Sequence, residues 1–253
     1  MPFTPSHIVA VLPLAKLSRY APFSAFAIAS MVPDLPLFFP LFDYSQTHSI
    51  LGLFNACLPI GLVAFMVFEA LLKQPLVALL PPPFTLRTTP SSSNWRHMTP
   101  RSVLVLMVAL IVGAATHVFW DSFTHAGRWG VQLVPALAKN YSILGVPLAG
   151  YKLFQYGSSL LGLPILALAF FLSLVRVESH HRTPDRLLPG VRLGVGLLLI
   201  AIPMVVSAIA FQSAPALPQA VFLSLTRSIT AMVGTIAIYA VLYRFGVLSK
   251  PIQ

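Results

Sequence analysis

Five long apolar runs, at residues 50–72, 102–125, 156–175, 192–211 and 228–247, decide what this chain can become. Each is close to the roughly 20 residues that cross the hydrocarbon core of a bilayer as a helix. Inside lipid no water satisfies a backbone N–H or C=O, so such a run must close its hydrogen bonds within itself. A sixth apolar stretch, 20–42, is interrupted by Pro22, Pro33, Pro36 and Pro40 but is also long enough to span. The expected fold is therefore all-α: an integral membrane bundle of about six transmembrane helices. Ile8 to Leu14 is too short to cross and is closed by Lys16 and Arg19, so residues 1–19 read as a short interfacial or re-entrant helix. In that helix Thr4 is placed as the cap, Pro5 at the first position and His7 in the first turn.

Composition excludes the main alternatives. Charged residues make up 9% of the chain, against about 25% in soluble domains, and mean hydropathy is +0.84. The net charge of +10 is spread over the loops between apolar runs, so it reads as a topology signal and not as a nucleic-acid footprint. No nucleic-acid partner is expected. Cys57 is the single cysteine, which rules out an internal disulfide and a Cys-rich zinc module; in its apolar run it reads as a small core residue. The first residues lack a basic region, so no cleavable signal is expected. Residues 1–253 read as one membrane domain, with the polar motifs in 1–162 and further transmembrane helices in 163–253.

With six spans, twelve of the 16 Lys and Arg fall in segments on the side of the N-terminus, leaving Arg128, Lys139, Lys152 and Arg227 opposite. The positive-inside rule then places both termini in the cytoplasm. That arrangement puts His48 and the end of the 102–125 span on the outer side and strands His7 on the inner one, unless the first segment dips back.

The chemistry concentrates in Thr116-His117-Val118-Phe119-Trp120-Asp121-Ser122-Phe123-Thr124-His125. His117, Asp121 and His125 stand at i, i+4 and i+8, within roughly 80° of arc on a helix, so they share one face. Polar ionisable groups at the end of a membrane helix are expensive and call for a role. Imidazole, carboxylate and imidazole suit a divalent metal. The rise from 117 to 125 is about 12 Å, too long for one ion, so Asp121 reads as a bridge between two ions or as a partner of either histidine. His7, Asp34 and His48 are the natural remaining ligands. Four imidazoles and two carboxylates suit zinc, or manganese, better than magnesium, with one or two ions bound. Ser45 is expected to cap the helix that puts His48 in its first turn, and Gly127 to stop the helix after His125. Residues 126–155 read as an amphipathic cover over the site, and Ser158-Ser159 as a helix start. Gln155 and Tyr151 are candidates to face the site and polarise a substrate. His97 and the pair His180-His181 read as solvated loop residues. Neither a Gly-x-Ser-x-Gly elbow nor a phosphate-binding glycine loop is present.

The opening Met1-Pro2-Phe3-Thr4-Pro5-Ser6-His7, then Val32-Pro33-Asp34, Thr47-His48-Ser49-Ile50-Leu51-Gly52, the His117–His125 stretch and Tyr156-Gly157-Ser158-Ser159 resemble a bacterial family of multi-pass membrane proteins of unknown function. The likeness runs from Met1 to about Gly162. That family is in turn similar to membrane-bound metal-dependent hydrolases. A more distant likeness is to the helical zinc-dependent phospholipase C and nuclease group, where a His-x-x-x-Asp on a helix binds zinc. The resemblance implies His7, Asp34, His48, His117, Asp121 and His125 as metal ligands and the bacterial cell membrane as the location. The expected activity is metal-dependent hydrolysis of an ester or phosphoester, with Asp121 and His117 catalytic and Arg128 steadying developing charge. A lipid or lipid-linked substrate fits a site reached from the bilayer. Two other readings stay open: a transporter or proton pathway using the same cluster, and a scaffold whose polar face only joins helices.

Overall fold

The structure is a computed structural model that describes residues 3–40, 42–81, 99–143, 145–176 and 187–248. His97, His180 and His181 lie outside the described residues. Six helices organise the described chain: α1 (Phe23–Ala29), α2 (Ile50–Leu79), α3 (Pro100–Thr124), α4 (Gly150–Arg176), α5 (Pro189–Gln212) and α6 (Leu217–Arg244). The last five are long and apolar enough to cross a membrane, which makes the chain an all-α, multi-pass membrane protein.

The stretch expected as a full span at 20–42 is shorter: an apolar helical segment, Phe23–Phe38, in which a 3-10 turn at Val32–Asp34 interrupts the α-helix. Pro33 and Pro36 are the cause, since each lacks the N–H that would continue the ladder. The opposite holds at α6, which begins at Leu217, eleven residues before the expected 228. Similarly, α4 begins at Gly150 and not near Ser158. Ser158 and Ser159 lie inside it and donate back to the Gln155 carbonyl, at 2.9 and 3.2 Å. Between α3 and α4, residues 126–149 hold two short helices, Trp129–Leu133 and Pro135–Ala138, and an antiparallel hairpin of β1 (Asn140–Ile143) and β2 (Val146–Ala149), paired Asn140↔Ala149 to Ile143↔Val146. Gly145 in its turn has φ +79°, a conformation that favours glycine.

Contacts divide the chain into two compact units. The first contains residues 1–36, 41–65 and 93–172. Here Val11, Ala25, Phe26 and Ala29 pack with Phe65, Leu106, Ala109 and Leu110 into one buried cluster. The N-terminal segment thus runs from Thr4 down to Leu17 in short 3-10 and α pieces and returns through α1 along α3. The return is close. A Cβ on Gly113 would lie 2.5 Å from the Phe26 carbonyl oxygen and 2.8 Å from the Ala29 Cβ, the small-residue contact that lets membrane helices approach. The order of contacts makes α1 parallel to α3: Phe26 and Ala29 meet Gly113, and one turn on Ser30 meets His117.

The second unit contains residues 37–40, 66–92 and 173–253. Ala78, Leu187, Val195, Tyr239 and Tyr243 form its buried cluster. Polar ties hold it: the Tyr239 hydroxyl donates to the Pro75 carbonyl at 2.9 Å, Arg192 donates to the Ala78 carbonyl at 3.3 Å, and Lys73 pairs with Glu69 at 2.7 Å.

Candidate metal centre

Four side chains from three parts of the first unit converge on one point. Asp34 comes from the 3-10 turn after α1, His48 from the link before α2, and His117 and Asp121 from the last turns of α3. One ligand atom of each lies within 4.8 Å of the others, and all four residues are buried. Asp34 and His117 are 0% exposed. These four residues could hold a metal ion.

Local sequence explains each placement. Asp34 is delivered by Pro33. In the 3-10 turn the Asp34 N–H reaches the Met31 carbonyl at 3.2 Å, but Pro33 has no N–H to offer Ser30. The Ser30 carbonyl is left to accept from His117 Nδ1 at 2.7 Å. His48 does not stand in a first helical turn. It is the C-cap of a short helix, Tyr44–Thr47, whose N-cap is Asp43 rather than Ser45; Ser49 then caps α2 by accepting from the Gly52 N–H. His48 Nδ1 donates to the Tyr44 carbonyl at 3.1 Å. Thr4, expected as a helix cap, instead donates from Oγ1 to Asp34 Oδ2 at 2.7 Å, and Phe3 occupies the cap position. Thr124 Oγ1 donates to Asp121 Oδ1 at 3.2 Å.

These bonds fix what faces the centre. With Nδ1–H of His48 and His117 committed to carbonyls, each Nε2 presents a lone pair. Both Nε2 atoms, Asp34 Oδ1 and Asp121 Oδ2 are buried without a hydrogen-bond partner. Imidazole and carboxylate alternate around the point: His48 Nε2 lies 3.7 Å from Asp34 Oδ1 and 3.5 Å from Asp121 Oδ2, and His117 Nε2 lies 3.5 Å from each. Those separations exceed an N–H···O hydrogen bond.

The two other expected ligands flank this group. His7 stacks on the His117 ring with centroids 3.7 Å apart, and its Nε2 lies 3.6 Å from Asp121 Oδ1, the oxygen turned away from the four. Neither ring nitrogen of His7 has a hydrogen-bond partner. Burial, reinforced by His117, pulls its pKa down to about 3, so His7 is neutral. His125 lies one residue past α3 in extended backbone. Its Nδ1 sits 3.5 Å from Asp121 Oδ2 and donates to the Asp121 carbonyl at 3.2 Å; its Nε2 is buried and unpartnered, and burial lowers its pKa. Gly127, expected to stop the helix, has φ +73° but lies two residues beyond His125, where the backbone has already left the helix.

Arg128 donates to the His48 carbonyl at 3.3 Å, which ties the 126–149 segment to the site. Gln155 is fully buried with an unpartnered Nε2, its Oε1 accepting from Lys152 at 3.1 Å. Cys57, buried as expected, donates to the Thr47 carbonyl at 3.2 Å. Sequence reasoning missed the supporting threonines. A partial signal existed: Thr-His occurs three times, at 47–48, 116–117 and 124–125. In the first and last pairs the threonine Oγ1 lies against the histidine Nδ1, at 3.2 and 3.0 Å, while that nitrogen also meets the carbonyl four residues back; Thr116 instead donates to the Gly113 carbonyl at 2.7 Å.

No curated protein and no solved structure matches the chain. A family model described as Domain of unknown function (DUF4184) matches residues 1–245. That match takes in both compact units and every residue of the centre, and the chain belongs to the DUF4184 family.

Proposed function

We propose that this protein is a membrane-embedded, zinc-dependent hydrolase of an ester or phosphoester. The spacing of the four ligand atoms carries the reading. A tetrahedral zinc with bonds of about 2.1 Å separates neighbouring ligand atoms by about 3.4 Å, and the four imidazole–carboxylate separations are 3.5–3.7 Å. Two imidazoles and two carboxylates also suit zinc better than magnesium. Four buried acceptor atoms pointed at one another repel unless a cation lies between them.

Bound zinc would supply Lewis acidity and an activated water. The residues around it divide the remaining work. His48 and His117, held by carbonyls, would offer their lone pairs to the ion, and Asp34 and Asp121 would offset its charge. Asp121 Oδ1 lies 3.6 Å from His7 Nε2, so these two residues would be the ones to hold a second ion. Arg128, tied beside His48, steadies negative charge that develops on substrate. The decisive test is zinc content of the detergent-purified protein beside a His117→Ala/Asp121→Ala variant. One or two equivalents, lost in the variant, support the centre and justify screening phosphoesters and esters. A well-folded protein with no zinc in either form sinks the proposal.

The same geometry bears on orientation in the bacterial cell membrane. His7 meets the C-terminal end of α3, so the N-terminus belongs on the side of the site. Segments 73–101 and 176–192, which join α2 to α3 and α4 to α5, hold eight of the 16 Lys and Arg, and Arg244 and Lys250 follow at and beyond the end of α6. The positive-inside rule then puts the centre and the N-terminus outside and Lys250 inside. Labelling single cysteines at positions 3 and 250 with an impermeant maleimide on intact cells distinguishes this from two cytoplasmic ends, which would leave both unlabelled.

A further inference from the structure

A cavity of about 350 Å³ lies against the centre, between the N-terminal segment and α4, with His7, Ala10, Trp120, Phe154, Gly157 and Leu161 in its wall. Two hydroxyls reach it, Ser6 and Ser158, and both are spent on carbonyls, of Phe3 at 2.7 Å and Gln155 at 2.9 Å. Two ring residues carry the other polar atoms of the wall, Trp120 and His7; both nitrogens of His7 are unpartnered, and its Nε2 stands 3.6 Å from Asp121 Oδ1. The wall is therefore mostly apolar, and its unpartnered polar side chain is the one beside the centre. Small residues keep it open: a Cβ on Gly157 would meet nothing within 4 Å. Its outer wall belongs to a membrane-crossing helix, where Leu161 is 66% and Ile165 48% exposed. In a bilayer those side chains face hydrocarbon, so what can enter past them is lipid.

We infer that this cavity binds a single hydrocarbon chain of a membrane lipid and presents that lipid's ester or phosphoester junction to His7 and the centre. The lining explains the chemistry: an amphiphile has one apolar limb and one polar junction, and the cavity has a mostly apolar wall with His7 in it beside the centre. Non-polar walls with one or two convergent polar groups are how small-molecule sites fix orientation. Naming the bound lipid as the substrate rests on the hydrolase reading; the binding of its chain does not.

Trp120 lines the cavity and stacks on Phe154 at 5.2 Å, so it reports occupancy. The probe is a lysophospholipid brominated at mid-chain, titrated into the protein in detergent with tryptophan fluorescence recorded. Saturable quenching is expected, absent in Trp120→Phe and lost in Gly157→Phe, which fills the open space. Zinc content of Gly157→Phe should equal that of the parent. Quenching that never saturates in the parent protein overturns the inference, as does saturable quenching that survives unchanged in Gly157→Phe. A parent protein without zinc that still shows saturable quenching would remove the hydrolase and leave the lipid-chain site standing.

Discussion

Thr4→Val is the perturbation that most sharply tests how the centre is held. The Thr4 hydroxyl donates to Asp34 Oδ2 at 2.7 Å, while Oδ1 of the same carboxylate faces the other ligands. Valine keeps the shape and removes the donor. Among the described residues nothing else donates to Oδ2, so the carboxylate loses its anchor and can rotate about its last torsion. A hydrogen bond to a charged group contributes about 1.5–3 kcal/mol, and 1.4 kcal/mol is a factor of ten in affinity. Zinc binding should therefore weaken roughly 10- to 100-fold, the range typical for removing the support of a metal ligand. The assay is competition for zinc against a chromogenic chelator in detergent, comparing Thr4, Thr4→Val and Thr4→Ser. Serine restores the donor and should recover most of the affinity. Affinity in Thr4→Val within threefold of the parent would refute the argument, because Asp34 would then be oriented by something other than this bond.

Other predictions follow from the same geometry. His7→Ala removes a side chain outside the group of four, so zinc should fall from two equivalents to one if Asp121 bridges; a parent with two equivalents that keeps both in His7→Ala would rule out the bridge. Gly113→Leu drives a side chain into the Phe26 carbonyl, and overpacking of this kind costs about 1–3 kcal/mol. Thermal unfolding in detergent should show a lower Tm for Gly113→Leu, whereas an unchanged Tm would mean that α1 and α3 do not touch as described.

Much of the centre was legible in the chain because its signals are local. His117 and Asp121 are one helical turn apart, so period alone puts them on one face. Asp34 and His48 could be named because a carboxylate or imidazole beside apolar runs is costly anywhere else. Legibility fails where a role depends on distant backbone. Thr4 looks like a helix cap, since Thr-Pro is a common helix start, yet its hydroxyl is claimed by Asp34, 30 residues away. Pro33 was legible as a break, but not that the carbonyl it frees would meet His117. His125 fits the face by period, yet α3 ends at Thr124 and extended backbone carries it off the helical arc. The hairpin of β1 and β2 carried no strong alternation within its eight residues, too short a stretch for period to tell strand from loop. The beginnings of α4 and α6 were misplaced because Tyr, Ser and Arg at a membrane boundary read as loop while they extend a helix just as well.

The bond from His117 to Ser30 spans 87 residues of sequence, and that distance is also a delay. At 5–20 residues per second, a ribosome needs roughly 4–17 s to pass from one to the other. Through that interval Asp34 has been made but His117 and Asp121 have not, and a carboxylate cannot rest alone in hydrocarbon. The N-terminal segment therefore waits at the bilayer surface and sinks in only when α3 arrives to receive it. The chain's first residues, though first to leave the ribosome, thus settle no earlier than α3.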